Sequence, residues 1–211
     1  MVPMTTPADN WISNPPAPSV LFPHRFYGSL DAITDSERRA LRSIGMTAGE
    51  AAAKTGVLLA DLLTLPGVRI FQGVRLASAD VPPIPHAINS GCRVVLVESV
   101  AWPPGQYAVM PTGRIHCDDV YIGQSVRPLV SAVRHWRSTL PRGHWVSAMV
   151  VVHLPADGEV GLPSPQAGDL AWARADSAAV HLRARLPRRQ QSVSIRAVAE
   201  LVAATAEEEI R

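Results

Sequence analysis

The stretch CRVVLVESV, Cys92–Val100, decides how the rest of the chain is read. Its almost unbroken run of valine and leucine predicts a strand buried on both faces, which places it in the middle of a sheet covered by helices on either side. On strict alternation Glu98 shares a face with Val94 and Leu96, while Val97 and Ser99 point the other way. A carboxylate late in so apolar a strand needs a partner or a metal, because an unpaired buried charge is costly. The plainer account of Glu98 is a strand-end glutamate paired with an arginine or exposed past the sheet edge.

Working upstream, Ser90-Gly91 reads as a turn. Ile84–Asn89 and Val68–Leu76 (VRIFQGVRL) read as two further strands, interrupted by Pro82 and Pro83. Before them, Thr47 with Glu50 three residues on has the form of a capping box. Val57, Leu58, Leu62 and Leu65 follow at helical spacing, and Pro66-Gly67 stops the helix. An earlier helix start lies at Thr34 or Asp35, with Glu37 behind it. The prolines of Met1–Pro23 predict an irregular arm, and Trp11, Ile12, Leu21, Phe22, Phe26 and Tyr27 make parts of it apolar enough to pack on the domain.

Downstream, Gln106–Met110 and Arg114–Cys117 flank Pro111-Thr112-Gly113 and predict a peripheral hairpin. From Gln124 to Leu140 the period is helical, with Pro128 in the first turn, where proline is tolerated. Val146–Leu154 reads as a second buried strand, Leu170–Arg174 as a short strand, and Ser177–Leu186 and Ser192–Ile210 as helices; the Glu207-Glu208-Glu209 run faces solvent. The pattern predicts an α/β fold around a central mixed sheet flanked by helices. It divides the chain into an arm packing on the domain (1–33), an α/β domain (34–187) and a C-terminal helix (188–211).

The 211 residues suit one domain of ordinary size, and 47% hydrophobic against 18% charged residues excludes bulk disorder. A formal net charge of +2 is too small to mark a nucleic-acid binder by charge alone. Cys92 and Cys117 can form neither a disulfide framework nor a zinc knuckle. No apolar run is long enough to span a membrane, and the N-terminus lacks the basic-then-apolar pattern of a signal peptide, so the expected compartment is the cytoplasm. Neither a phosphate loop, a dinucleotide fingerprint nor a nucleophile elbow is present.

Gly49-Glu50 opening a helix, then RIFQGVRL, IPHAINSGCRVVLVESVAW and GQSVRPLVSAVRHW, together resemble the nuclease-related domain (NERD) family over about Thr47 to Leu140. The resemblance implies a PD-(D/E)xK, restriction-endonuclease-like fold with an αβββαβ core and a C-terminal helical extension. Glu50 matches the family's helix glutamate, Glu98 the glutamate of its Glu-x-Lys strand, and Gln124 its helix glutamine. Pro85 stands where the family has a metal-binding aspartate, and Val100 where it has the catalytic lysine. In this class carboxylates hold a divalent cation, usually Mg²⁺, which polarises the phosphate and activates water. Losing one electrostatic element of such a site typically costs about two to three orders of magnitude in rate. The resemblance therefore implies a degenerate domain without cofactor that binds nucleic acid or a protein partner and not a membrane. The alternative is a Mg²⁺-dependent nuclease whose site is rebuilt on Glu50, Glu98 and a migrated ligand or base.

Migration has candidates in His86, Asp118, Asp119, Arg93, Arg114 and Lys54. Each also has a structural reading. His86 is a hydrogen-bonded core histidine, Lys54 forms an i,i+4 pair with Glu50, and Trp102 seals the end of the sheet. Were Trp102 open, it would offer a stacking plate for a base or ligand. Arg134, Arg137, Arg142, Arg183, Arg185, Arg188 and Arg189 make the second half locally basic, which supports phosphate contact only if they share one face.

Overall fold

The structure is a computed structural model that describes residues 24–31, 33, 46–76, 81–155, 158–164, 169–187 and 193–205. The arm before residue 24, the helix start at Thr34, the Glu207–Glu209 run, and Arg188 and Arg189 lie outside these residues.

Strand β1 (Phe26–Tyr27) precedes helix α1 (Ala48–Ala60), which continues into a short 3₁₀ turn at Asp61–Thr64. Three strands follow: β2 (Val68–Val74), β3 (Ile84–Ser90) and β4 (Arg93–Ala101). They are joined as antiparallel neighbours. After β5 (Gly105–Val109), β6 (Arg114–Cys117) and β7 (Val120–Ser125), helix α2 (Arg127–Thr139) returns the chain to β8 (Trp145–His153). Strand β8 runs parallel to β4 over the full length of both, from Arg93↔Trp145 to Ala101↔His153. The chain closes with β9 (Val160–Gly161), β10 (Leu170–Arg174), α3 (Ala178–Arg185) and α4 (Ile195–Thr205).

The result is a mixed α/β fold. A six-stranded mixed sheet has the order β1-β2-β3-β4-β8-β10, and a four-stranded sheet has the order β7-β6-β5-β9. Alternation along the central strands divides the core into two layers. Ile70, Ile88, Val95, Val97, Met149 and Val151 pack with Leu59 of α1 and Leu182 of α3 on one face. Phe71, Ala87, Val94, Leu96, Ala148 and Val150 pack with Leu129 and Trp136 of α2 and Leu201 of α4 on the other. The central strand expected from CRVVLVESV is β4, flanked by β3 and β8 and covered on both faces.

Two local features depart from expectation. The expected hairpin has a third strand, and Gln124, expected to open a helix, lies in that strand, β7. The cause is the Asp118-Asp119 corner, where both residues take positive φ (47° and 67°) and Cys117 pairs with Val120 across a two-residue loop. That geometry is normally signalled by Asn-Gly or Asp-Gly, so an Asp-Asp pair concealed it. Helix α2 starts only after Val126, with Pro128 in its first turn and the Arg127 amide donating to Ser125 Oγ at 3.2 Å.

The second is the C-terminal helix, which is part of the core and not an appendage. Ala197 and Leu201 of α4 are fully buried in the layer that contains Phe71 and Val74. The Arg75 amide, just past β2, donates to Ala204 O at 2.9 Å. Likewise the end of the arm adds β1 to the sheet in parallel with β2, pinned by Arg25 Nε donating to Val68 O at 2.9 Å. We therefore expect Leu201→Ala to lower the free energy of unfolding by about 2–4 kcal/mol, measured by urea denaturation. An unchanged midpoint would mean that α4 detaches freely from β2.

Candidate functional site

Helix α1 is held at its start as the sequence suggests. Thr47 Oγ1 accepts from the Glu50 amide at 3.1 Å, and Glu50 Oε2 accepts from the Thr47 amide at 2.7 Å. The Glu50 carboxylate is thus a capping group on an exposed helix end. Hydrogen bonds from Thr47, followed by the nearby charge of Lys54, hold its pKa below the usual carboxylate value despite an opposing effect of burial. Lys54 is exposed on the next turn.

Beneath α1 lies a row of buried polar side chains. Ser99 Oγ donates to Thr55 Oγ1 at 2.9 Å, and Thr55 Oγ1 lies 2.8 Å from His153 Nε2. The next residue after Thr55, Gly56, passes close to His86: a Cβ added there would be 3.1 Å from His86 Nε2. The same nitrogen lies 3.3 Å from the Gln72 amide nitrogen, which assigns Nε2 as acceptor and leaves the buried Nδ1–H of His86 without a partner. Thr55, His86, Ser99 and His153 are all buried. Burial depresses the pKa of His86 from 6.5 to about 3. Burial, followed by the charge of Lys54, depresses that of His153, opposed by a hydrogen bond to the Ala51 backbone.

Glu98 is not among these groups. Ser99 reaches α1, so its neighbour Glu98 projects to the opposite face with Leu96. The Glu98 carboxylate is half-buried and accepts from the Ser99 amide at 3.0 Å. Glu50 caps the helix that covers one face of the sheet, and Glu98 shares the other face with Leu96. Val100 shares the face of Glu98, and Pro85 lies one residue from His86 on β3.

Trp102 and Gln124 do meet, as packing. Trp102 is fully buried, its Nε1 donates to Gln124 Oε1 at 2.8 Å, and its ring stacks on Tyr107 with centroids 4.1 Å apart. The Tyr107 hydroxyl donates to Pro103 O at 2.8 Å. This assembly joins the end of β4 to the small sheet and leaves no open plate for a ligand. Asp118 Oδ1 accepts from the Gln106 amide at 2.9 Å, within the small sheet.

The Mg²⁺ that the nuclease resemblance implies does not fit these residues. Magnesium wants near-octahedral oxygen ligands, usually with a carboxylate or two, whereas the sheet face under α1 presents hydroxyls, an amide and two imidazoles. The two candidate carboxylates lie on separate faces. Among the described residues no group of three or more His, Cys, Asp or Glu side chains is placed to hold a metal ion. The buried row was hidden from sequence reading because Thr55, Ser99 and His153 have no motif spacing and meet only through the parallel β4–β8 pairing. The cue was the interruption of an apolar helix face by Thr55 and of an apolar strand by Ser99.

No protein-family model, curated protein or solved structure matches the chain. Among the described residues no helix is long and apolar enough to cross a membrane.

Two outcomes follow for the buried row. Thr55→Val leaves Ser99 and His153 without their shared partner and should cost about 1–3 kcal/mol of stability in urea denaturation. His86 is neutral in the fold and takes up a proton on unfolding below its usual pKa of 6.5. Its contribution is therefore intact above that pH and is lost as pH falls towards about 3. The loss approaches about 1.4 kcal/mol per pH unit. His86→Leu should remove that share of the slope between pH 6 and pH 4, and an unchanged slope would show that His86 is not buried neutral.

Proposed function

We propose that this chain is a non-catalytic, nuclease-related α/β domain that acts by binding. The element order supports the relationship: a helix, three antiparallel strands, a helix, and a strand parallel to the third, as α1, β2, β3, β4, α2 and β8. This is the αβββαβ order of the restriction-endonuclease-like fold, with the small sheet inserted between β4 and α2.

The observation that carries the non-catalytic reading is the chemistry of the sheet face under the first helix. A cation-dependent nuclease needs converging carboxylates there. Here that face carries half-buried Gln72 and buried His86, Ser99 and His153, closed against Thr55. A neutral network without a carboxylate can neither hold Mg²⁺ as a hard oxygen site would nor stabilise a developing phosphorane charge. The rearranged nuclease would require Glu50 and Glu98 around one ion, whereas the Glu50 carboxylate is engaged in the capping box of α1 and Glu98 accepts from the Ser99 amide on the face of Leu96.

The test is direct. Purified protein incubated with labelled single- and double-stranded DNA and RNA in Mg²⁺ or Mn²⁺ should leave every substrate uncut. Its melting temperature should be the same with either ion as with EDTA. Cleavage that disappears in Glu98→Ala, or a Mn²⁺-induced rise in melting temperature abolished by Glu50→Gln, would overturn the proposal.

A further inference from the structure

The end of the six-stranded sheet where β4 and β8 begin lies away from the buried row and gathers several arginines. Arg93 and Trp145 are register partners on the first rung of these two strands, and both are exposed. Trp145 is 53% exposed although every later residue of its strand is buried. The Arg137 guanidinium sits over its ring, 5.8 Å from the centroid. Arg142 is exposed in the loop that leads from α2 into β8. Arg185, at the last turn of α3, is joined to this end because Arg93 donates to its carbonyl oxygen at 3.2 Å. At the start of β2, Arg25 and Arg69 lie close enough for the charge of Arg69 to lower the pKa of Arg25, after the larger effect of burial.

How these arginines are held matters more than their number. Arg25 is anchored on the carbonyls of Leu65 and Val68, Arg69 on that of Gly67 at 3.3 Å, and Arg93 on that of Arg185. Carbonyls orient a guanidinium without neutralising it. Among the described residues only Arg137 of this group is paired with a carboxylate, that of Asp169. Asp61, the C-cap of α1, is a further acid among the described residues. An excess of unneutralised, backbone-anchored arginines around an exposed indole favours a polyanion with π faces. An acidic protein would satisfy the charge but not the ring.

We propose that this end of the sheet binds single-stranded nucleic acid, with Arg93 and Arg142 on phosphates and a base stacked on Trp145. The proposal rests on reading the chain as a binding domain. It locates the surface away from the nuclease-like positions and names the ligand.

The experiment is fluorescence anisotropy of labelled single-stranded DNA and RNA 20-mers with the full chain, in EDTA and over a range of NaCl. We expect log K to fall linearly with log salt, by about 0.7 for each phosphate engaged. Trp145→Ala should weaken binding roughly 5- to 150-fold, the loss of one stacked base, and Trp145→Phe, which keeps a π face, should retain most of the affinity. The double variant Arg93→Gln, Arg142→Gln should reduce the salt slope by about 1.4. Arg174→Gln, at the far end of the sheet and already paired with Asp176, should change nothing. Absence of salt-dependent binding, tighter binding to a duplex of the same length, or affinity unaffected by Trp145→Ala would overturn the proposal. Because these measurements are made in EDTA, cleavage seen on adding Mg²⁺ would refute the non-catalytic reading while leaving the binding surface standing.

Discussion

The period-two alternation of β4 is the constraint from which the rest of the molecule follows. Pairing with β3 on one side and β8 on the other fixes its register at every rung. Once Val95 and Val97 are committed to the layer under α1, Ser99 must face α1 and Glu98 must face α2. A shift of one residue would exchange the two layers and bury the glutamate beneath a helix. The apolar content of the strand forbids this, since both layers are packed to near-zero exposure along Val94–Val97. The same constraint that builds the core also turns Glu98 to the face away from α1.

Much of the fold was legible because long apolar runs and their punctuation are local signals. Pro66-Gly67, Ser90-Gly91 and Pro141-Arg142-Gly143 interrupt the chain where α1 and its 3₁₀ turn, β3 and α2 end. The capping box at Thr47 was legible for the same reason, since both partners lie within four residues. What was not legible depended on unusual turn chemistry or on contacts distant in sequence. Strand β7 required Asp118 and Asp119 to occupy left-handed backbone, which few non-glycine pairs do. The integration of α4 required its small and apolar face to find β2, some 130 residues earlier by the numbering of Leu201 and Phe71. No window of sequence encodes that.

The candidate site shows the difference between matching a pattern and matching a face. Glu50, Glu98 and Gln124 fall in a nuclease-related order along the chain. In three dimensions Glu50 is spent on capping, Gln124 is spent on the indole of Trp102, and Glu98 sits on the face away from α1. Alternation already assigned Glu98 to the side of Leu96. What the sequence lacked was the side on which α1 would pack, and that is decided by Leu59, Leu62 and Leu63 meeting Val95 and Val97. The residues that do lie under α1 are neutral or kept neutral, so their contribution is to the specificity of helix docking. A buried hydroxyl chain from Ser99 through Thr55 to His153 is satisfied in one arrangement only, and sliding α1 by a turn would orphan all three groups.

The two ends of the sheet consequently have different physics. Where β4 and β8 finish, the polar groups are turned inward, Trp102 is buried under Tyr107 and Trp172, and the chain is closed. Where β4 and β8 begin, arginines hang from carbonyls and an indole stands in solvent. Burying Trp145 would have been simple for a chain that buries Trp102, Trp136 and Trp172. A single exposed aromatic needs no explanation by itself. An exposed tryptophan roofed by Arg137 and abutting Arg93 is different: Arg137 is paired with Asp169, while Arg93 is held by a carbonyl that orients its charge without neutralising it. Such an arrangement is relieved by an anion from outside the chain. The low net charge of the whole molecule conceals this, since an overall +2 averages over acids placed elsewhere. Electrostatic recognition depends on local charge within about one Debye length, roughly 8 Å at physiological ionic strength, and over that distance the start of the β4–β8 pair is a cationic surface.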